Sequence, residues 1–396
     1  MANDVLRGLS DALWALNLIC TIHVAISGDG AGRNREKIRG KMSKLNASPT
    51  KALQMVRLEE QQHHWSRRHY RGASDGNVNT DQASPLPQNN HSHFNLHLIV
   101  LNKQPNLGGY SVILITGATG NNGQELIRQL TAMGQRVRLL IRKPAEAAKL
   151  EGSNIEVAAG DFDRPETLQT ALQGVEKAFL LTPIAERFVQ WQKDFIETAQ
   201  RANIKHLVKF SGMGAYAHSA IELLRLHAET DDILRNSGVP FTILQPNSFH
   251  QNMLSSADTI KAQGAFYWPL KNASQSTVDI RDISAVAAKV FTSSGHEGKT
   301  YVITGPEALT FQQAAEKLSS VLGRKITYVD VPISAAADGM RNSGMPEWNV
   351  HAVSDLLAYF ATGSAATVTE TVPHLLGRPA TSFEQFVKDH RAAFMN

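Results

Sequence analysis

From residue 111 onward the sequence predicts an α/β protein with a doubly wound, mostly parallel sheet. Three observations carry this reading. Short β-branched runs alternate with longer amphipathic stretches at least five times between Val112 and Leu244. The first run passes directly into a glycine-rich turn and then a helix, which is the order of a βα unit. The connections are long enough for crossover helices, which parallel strands require.

The elements follow in order. Val112-Ile-Leu-Ile-Thr116 reads as a strand buried on both faces. Gly117-Ala-Thr-Gly120-Asn-Asn-Gly123 comes next, and a helix follows with Leu126, Ile127 and Leu130 on one face and Gly134 as its stop. Gly117 permits a tight turn, Gly120 lets backbone approach a pyrophosphate, and Gly123 lets the helix pack against the strand. The helix N-terminus offers N–H groups and partial positive charge to phosphate. This context makes the turn a dinucleotide-binding motif of Rossmann type. Thr119, Asn121 and Asn122, which fill the turn, join the three glycines as cofactor-binding candidates.

The second strand, Arg136 to Ile141, ends in Arg142-Lys143-Pro144. An NAD site places an acid there for the ribose 2′-hydroxyl. Two cations suit a 2′-phosphate instead, so NADP(H) is favoured over NAD(H). The third strand, Ile155 to Ala159, leads to Asp161 and Phe162, placed to meet the adenine amino group and ring. Asp163, ahead of Arg164 and Pro165, reads chiefly as a helix N-cap. Strand four, Lys177 to Leu181, ends in Thr182-Pro183 beside the expected nicotinamide ribose. A helix over 188–202 leads to strand five, His206 to Phe210, with Ser211 at its end. A helix over 222–237 precedes strand six, Phe241 to Leu244.

Residues 111 to about 390 resemble the NmrA-like, or atypical short-chain dehydrogenase/reductase, family. The matching stretches are Ile113-Leu-Ile-Thr-Gly-Ala-Thr-Gly-Asn-Asn-Gly123, His227-Ala-Glu-Thr230 and Ser237 through Asn252, then Val278-Asp-Ile-Arg-Asp282, Thr304-Gly-Pro-Glu-Ala308 and Leu376 through Phe386. The resemblance implies a Rossmann core (about 111–250) and a small C-terminal α+β substrate lobe contributed mainly by about 250–390. It also implies one of two activities. One is NAD(P)H-dependent hydride transfer to a quinone-like, azo-like or related conjugated acceptor. The other is non-catalytic NAD(P) sensing. The wider superfamily relies on a Tyr-x-x-x-Lys pair, but here Tyr216 is followed four residues later by Ala220, and no lysine lies between Lys209 and Lys261. Where some relatives carry a lysine, this chain has His227, so His227 and Tyr216 are the catalytic candidates, with helix packing an equal alternative for His227. Conjugated acceptors need less proton donation than ketones, so a reductase without that pair is chemically coherent.

Asn247 and Phe249, after strand six, are the candidate substrate contacts, while His250 and Asn252 are read as solvating the loop. Phe266-Tyr-Trp268 reads first as core. Asp282 reads first as the N-cap of a helix over 283–291.

The first 110 residues read differently. They hold 13 Lys and Arg against 8 Asp and Glu, whereas residues 111–396 hold 27 against 28. The pI near 9 therefore belongs to the N-terminal segment. That segment is expected to be a basic, low-order extension, or to precede a natural start near residue 110. A near-neutral folded part without a recognition-helix motif argues against nucleic acid. The apolar run over 12–26 is shorter than the ~20 residues a spanning helix needs. The expectation is a cytoplasmic enzyme with a small-molecule acceptor, no membrane partner, no metal and a homodimeric state left open. The single cysteine, Cys20, excludes a disulfide framework.

Overall fold

The structure is a computed structural model that describes residues 111–143 and 152–395. The readings made for residues 1–110 and for Pro144 lie outside these residues.

The predicted alternation is present. The elements β1 (Val112–Ile115), α1 (Asn121–Ala132), β2 (Arg136–Ile141), β3 (Ile155–Ala159), α2 (Pro165–Ala171), β4 (Lys177–Leu180), α3 (Phe188–Arg201), β5 (His206–Phe210), α4 (Glu222–Asn236) and β6 (Phe241–Pro246) follow in turn. A 3₁₀ turn (His250–Ser256), α5 (Ala257–Gln263), β7 (Ala265–Trp268) and β8 (Ser274–Gln275) come next. Then α6 (Ile280–Thr292) and β9 (Lys299–Ile303) return to the sheet. The chain ends with β10 (Leu309–Thr310), α7 (Phe311–Leu322), β11 (Thr327–Asp330), α8 (Ile333–Asn342), α9 (Glu347–Phe360), α10 (Thr371–Leu376), α11 (Phe383–Asp389) and α12 (Arg391–Phe394).

The main sheet has seven parallel strands in the order β3-β2-β1-β4-β5-β6-β9. Chain order reverses between β1 and β4, and a crevice opens at the strand carboxyl ends of such a point. Both faces are covered, which is why the central strands are apolar along their length. On one face Leu126, Ile127 and Leu130 of α1 pack with Val286, Ala287 and Val290 of α6. On the other, Leu168, Phe195, Ile196, Ala199 and Leu234 come from α2, α3 and α4.

A third core belongs to the C-terminal lobe. Phe266, Trp268, Phe311, Leu318, Val353 and Phe386 meet there, together with Leu223 and Leu224 from the start of α4. Phe266 and Trp268 are core residues, as their sequence pattern suggested. The lobe pairs β7 with β11 and β8 with β10 in two small sheets.

Three sequence readings need correction here. Asp163 does not cap α2. The cap position falls to Arg164, because Asp161 and Arg164 close a tight turn with Arg164 N–H donating to the Asp161 carbonyl at 2.9 Å. Asp163 instead accepts hydrogen bonds from Arg187 and, at 2.8 Å, from Trp191 Nε1. Asp282 is not a cap either. Asp279 caps α6, accepting from Arg281 N–H at 2.8 Å, and the fully buried Asp282 accepts from Thr381 N–H at 2.6 Å. His250 and Asn252 do not solvate a loop, for both are buried. His250 Nδ1 lies 2.8 Å from the Thr277 hydroxyl and Nε2 lies 3.1 Å from the Thr381 carbonyl.

Candidate active site

At the phosphate end of the crevice, Gly117 adopts φ +63°, a left-handed conformation that favours glycine. A side chain at Gly123 would place its first carbon 2.2 Å from the Gly117 carbonyl oxygen, so only glycine lets α1 approach this closely. Thr116 anchors the turn. Its hydroxyl donates to the Leu181 carbonyl at 2.9 Å and accepts from Leu181 N–H at 2.7 Å, tying β1 to the end of β4. No side chain caps α1 and no acid stands in its first turn, so its N-terminus keeps its positive potential. Thr119 and Asn121 are exposed beside it, and Asn122 is buried. These features fit a diphosphate.

Arg142 and Lys143 follow β2, the first exposed and the second half-buried. Among the described residues neither forms an ion pair. Arg136 and Arg138 on the same strand are by contrast matched with Glu156. The unneutralised pair fits the 2′-phosphate of NADP(H) better than a bare ribose. In the turn after β3, Asp161 accepts from Asp163 N–H at 3.1 Å, and the Phe162 ring leans on Trp191 and Phe195. Both residues therefore take part in shaping the turn that would border an adenine.

Past β4, β5 and β6 the crevice becomes an apolar cleft enclosing about 100 Å³. Leu181, Phe188, Phe210, Leu224, Leu356 and Phe360 form much of its wall. Its polar residues are almost all committed to neighbours. Thr182 accepts from Gln192 Nε2 at 3.0 Å, while Pro183 is exposed beside it. Ser211 donates to Asp231 Oδ2 at 2.9 Å. Asn247, expected to touch substrate, spends its amide on the Ser276 hydroxyl (2.8 Å) and the Ala365 carbonyl (2.9 Å), while its carbonyl accepts from Ser248 N–H. It clamps the lobe to the core. Phe249 does line the cleft, with its ring edge-on to Phe210.

The two catalytic candidates part company. Tyr216 is 61% exposed, stacks edge-on with His218 and does not line the cleft. His227, on α4, is 8% exposed and does line it, with Phe188 packed edge-on against its ring. Neither ring nitrogen has a hydrogen-bond partner among the described residues, and Nδ1 is fully enclosed. Nε2 lies on the Gly212 side of the ring, where a side chain on Gly212 would come within 3.6 Å. Burial, reinforced by the nearby Lys209 ammonium and only partly offset by Asp231, lowers the His227 pKa to about 3. Burial thus favours the neutral imidazole, which can offer a hydrogen bond, over an imidazolium acid.

Sequence reasoning missed the network beneath the cleft. Lys209 is fully buried in β5 and donates to Asp231 Oδ1 at 2.6 Å, while Ser211 and Gln245 bond the other carboxylate oxygen. Burial lowers the Lys209 pKa, with the Asp231 charge and hydrogen bond working against that. The signal was present as a lysine in the apolar strand His206-Leu-Val-Lys-Phe210, and a buried lysine needs a partner.

The profile of the NmrA-like family matches residues 110–373. The chain belongs to the NmrA-like family. Among the relatives of this NmrA-like chain is an NAD(P)H azoreductase of Xenophilus azovorans, 38% identical over 72% of this chain and 99% of its own length. Another is quinone oxidoreductase 2 of Escherichia coli, 30% identical over 70% of this chain and 97% of its own. The solved NADPH complex of an E. coli NADPH-dependent quinone oxidoreductase superposes with TM-score 0.64 at 28% identity, covering 70% of this chain and 99% of that one.

Proposed function

We propose that this protein is an NADPH-dependent oxidoreductase that reduces quinone-like, azo-like or related conjugated acceptors, with His227 as the group that binds the acceptor's reducible atom. The carrying observation is an apolar cleft at the carboxyl ends of β4, β5 and β6, in whose lining His227 Nδ1 is the buried side-chain polar atom without a hydrogen-bond partner among the described residues. The azoreductase and quinone oxidoreductase relatives support the acceptor class. The Gly117–Gly123 turn and the start of α1 hold the diphosphate, and Arg142 and Lys143 hold the 2′-phosphate. The bound cofactor supplies hydride.

The remaining steps belong to the chain's own side chains. Leu181, Phe188, Phe210 and Phe360 exclude water and hold a flat acceptor in place. An enclosed N–H without a partner is rarer than an enclosed lone pair, so Nδ1 of His227 carries the lone pair and Nε2 carries the proton. That places a neutral donor at the cleft, suited to an oxygen or azo nitrogen that gains electron density. A neutral donor stabilises charge without delivering a proton, which suits acceptors whose reduced form is resonance-stabilised.

The test is acceptor-dependent loss of NADPH absorbance over a panel of quinones and azo dyes. Turnover is expected in the wild type. His227→Phe is expected to lower kcat/KM roughly tenfold, the value of one lost hydrogen bond and its unmet partner, with NADPH affinity unchanged and partial rescue in His227→Gln. Tight NADPH binding without turnover of any acceptor would overturn the reading in favour of a sensor.

A further inference from the structure

Behind Phe249 lies a second, smaller cavity of about 30 Å³. Ser248 and Phe249 line both it and the main cleft, so they form the partition between them. Its far walls come from the lobe, with Trp268 of β7, Gln275 of β8 and Phe311 and Ala314 of α7. Most of that surface is apolar, but two side chains in its wall are not satisfied. Gln275 is 2% exposed and its Nε2 has no hydrogen-bond partner, and Asn252 is 4% exposed with an unpartnered Oδ1. Leaving such groups buried and unpaired is costly, and buried polar groups in folded proteins are paired almost without exception.

The other polar residues of the wall do not answer them. His250 is spent on Thr277 and Thr381, and burial lowers its pKa, which disfavours its cationic form. The Asn252 amide nitrogen is already directed at the Ser248 hydroxyl at 3.2 Å. No lysine or arginine lines the cavity among the described residues.

We infer that this cavity is a subsite for a short, uncharged polar substituent of the acceptor, one that accepts a hydrogen bond from Gln275 and donates one to Asn252. Hydroxymethyl and carboxamide groups meet both demands. A cavity needs about 10–15 Å³ per water-sized group, so there is room for about two polar atoms and none for a second ring. A sulfonate or carboxylate is disfavoured because nothing in the wall balances its charge. The conjugated ring stays in the main cleft against Phe249, and its substituent passes the partition. This inference rests on the acceptor reading above and adds a substrate preference to it.

The test compares 1,4-naphthoquinones that carry hydrogen, hydroxymethyl, carboxamide or sulfonate at one ring position. It is paired with calorimetric binding of the matching non-reducible naphthalenes to the cofactor-free full chain. Wild type is expected to bind the hydroxymethyl and carboxamide compounds roughly tenfold more tightly than the unsubstituted ring, and the sulfonate less tightly. Gln275→Leu is expected to erase that preference while leaving the unsubstituted ring unaffected. Its thermal midpoint is expected to hold or rise, because an unpaired donor is removed. Ala314→Val, which adds bulk to another lining residue of the cavity, is expected to erase the preference independently. Equal binding of all the neutral compounds, or a preference that survives both substitutions, would overturn the inference and make the cavity a site for ordered water. Failure of the acceptor reading gives a different result, since no quinone is then reduced while the naphthalene binding still reports on the subsite.

Discussion

His227 shows how one position changes meaning between sequence and structure. In the sequence it stands where some relatives have lysine, which suggests a proton donor. In the fold Phe188 packs edge-on against it and burial lowers its pKa to about 3, which supports the neutral donor proposed above rather than an acid. Arg142 and Lys143 follow β2 with no ion pair among the described residues, and the 2′-phosphate role proposed for them depends on little beyond that place after the strand. Replacing both with alanine is expected to weaken NADPH binding roughly 10- to 100-fold, the loss of one or two charge-assisted hydrogen bonds, and to leave NADH binding nearly unchanged. Fluorescence titration with the two cofactors measures this directly. Asn247 illustrates the opposite outcome. Its location at the cleft mouth was legible, but its amide was already claimed by Ser276 and Ala365, residues 29 and 118 positions away.

At the scale of elements, two contacts set the site. The first is the approach of α1 to β1 across Gly123. Gly123→Ala drives a carbon into the Gly117 carbonyl, so the turn must open. NADPH affinity is expected to fall at least tenfold while the thermal midpoint drops only modestly, a contrast that titration and thermal melting separate. The second is the pairing of β5 with α4 through Lys209 and Asp231. Removing one member of a buried ion pair leaves the other charged and unsolvated. Lys209→Met is therefore expected to cost about 3–5 kcal/mol in chemical denaturation. The double variant Lys209→Met with Asp231→Leu is expected to recover much of that stability, because the unpaired charge is gone.

The molecule as a whole carries a pH response set by its enclosed histidines. Burial is the leading cause of the lowered pKa at His206, His227 and His250. Each therefore holds its proton more weakly when folded than when unfolded. Below about pH 6.5 the unfolded chain binds the additional protons, so stability is complete above that value and declines as the pH falls, for His227 down to about pH 3. Thermal midpoints are expected to be level between pH 7 and 8 and to drop steadily from pH 6 to 5, and His250→Asn is expected to flatten part of that slope. No helix among the described residues is long and apolar enough to cross a membrane. The succession of the first six strands along the chain, the glycine turn and the two cations after β2 were all legible in the sequence. They rest on local periodicity, on steric freedom at single glycines and on charge at strand ends, which neighbours in the chain suffice to specify. The seventh strand, the exposure of Tyr216, the burial of His227, the Lys209–Asp231 pair and the small cavity behind Phe249 were decided only by the tertiary structure. Each depends on burial or on partners brought together from distant positions, and desolvation has no signature in the order of residues along the chain.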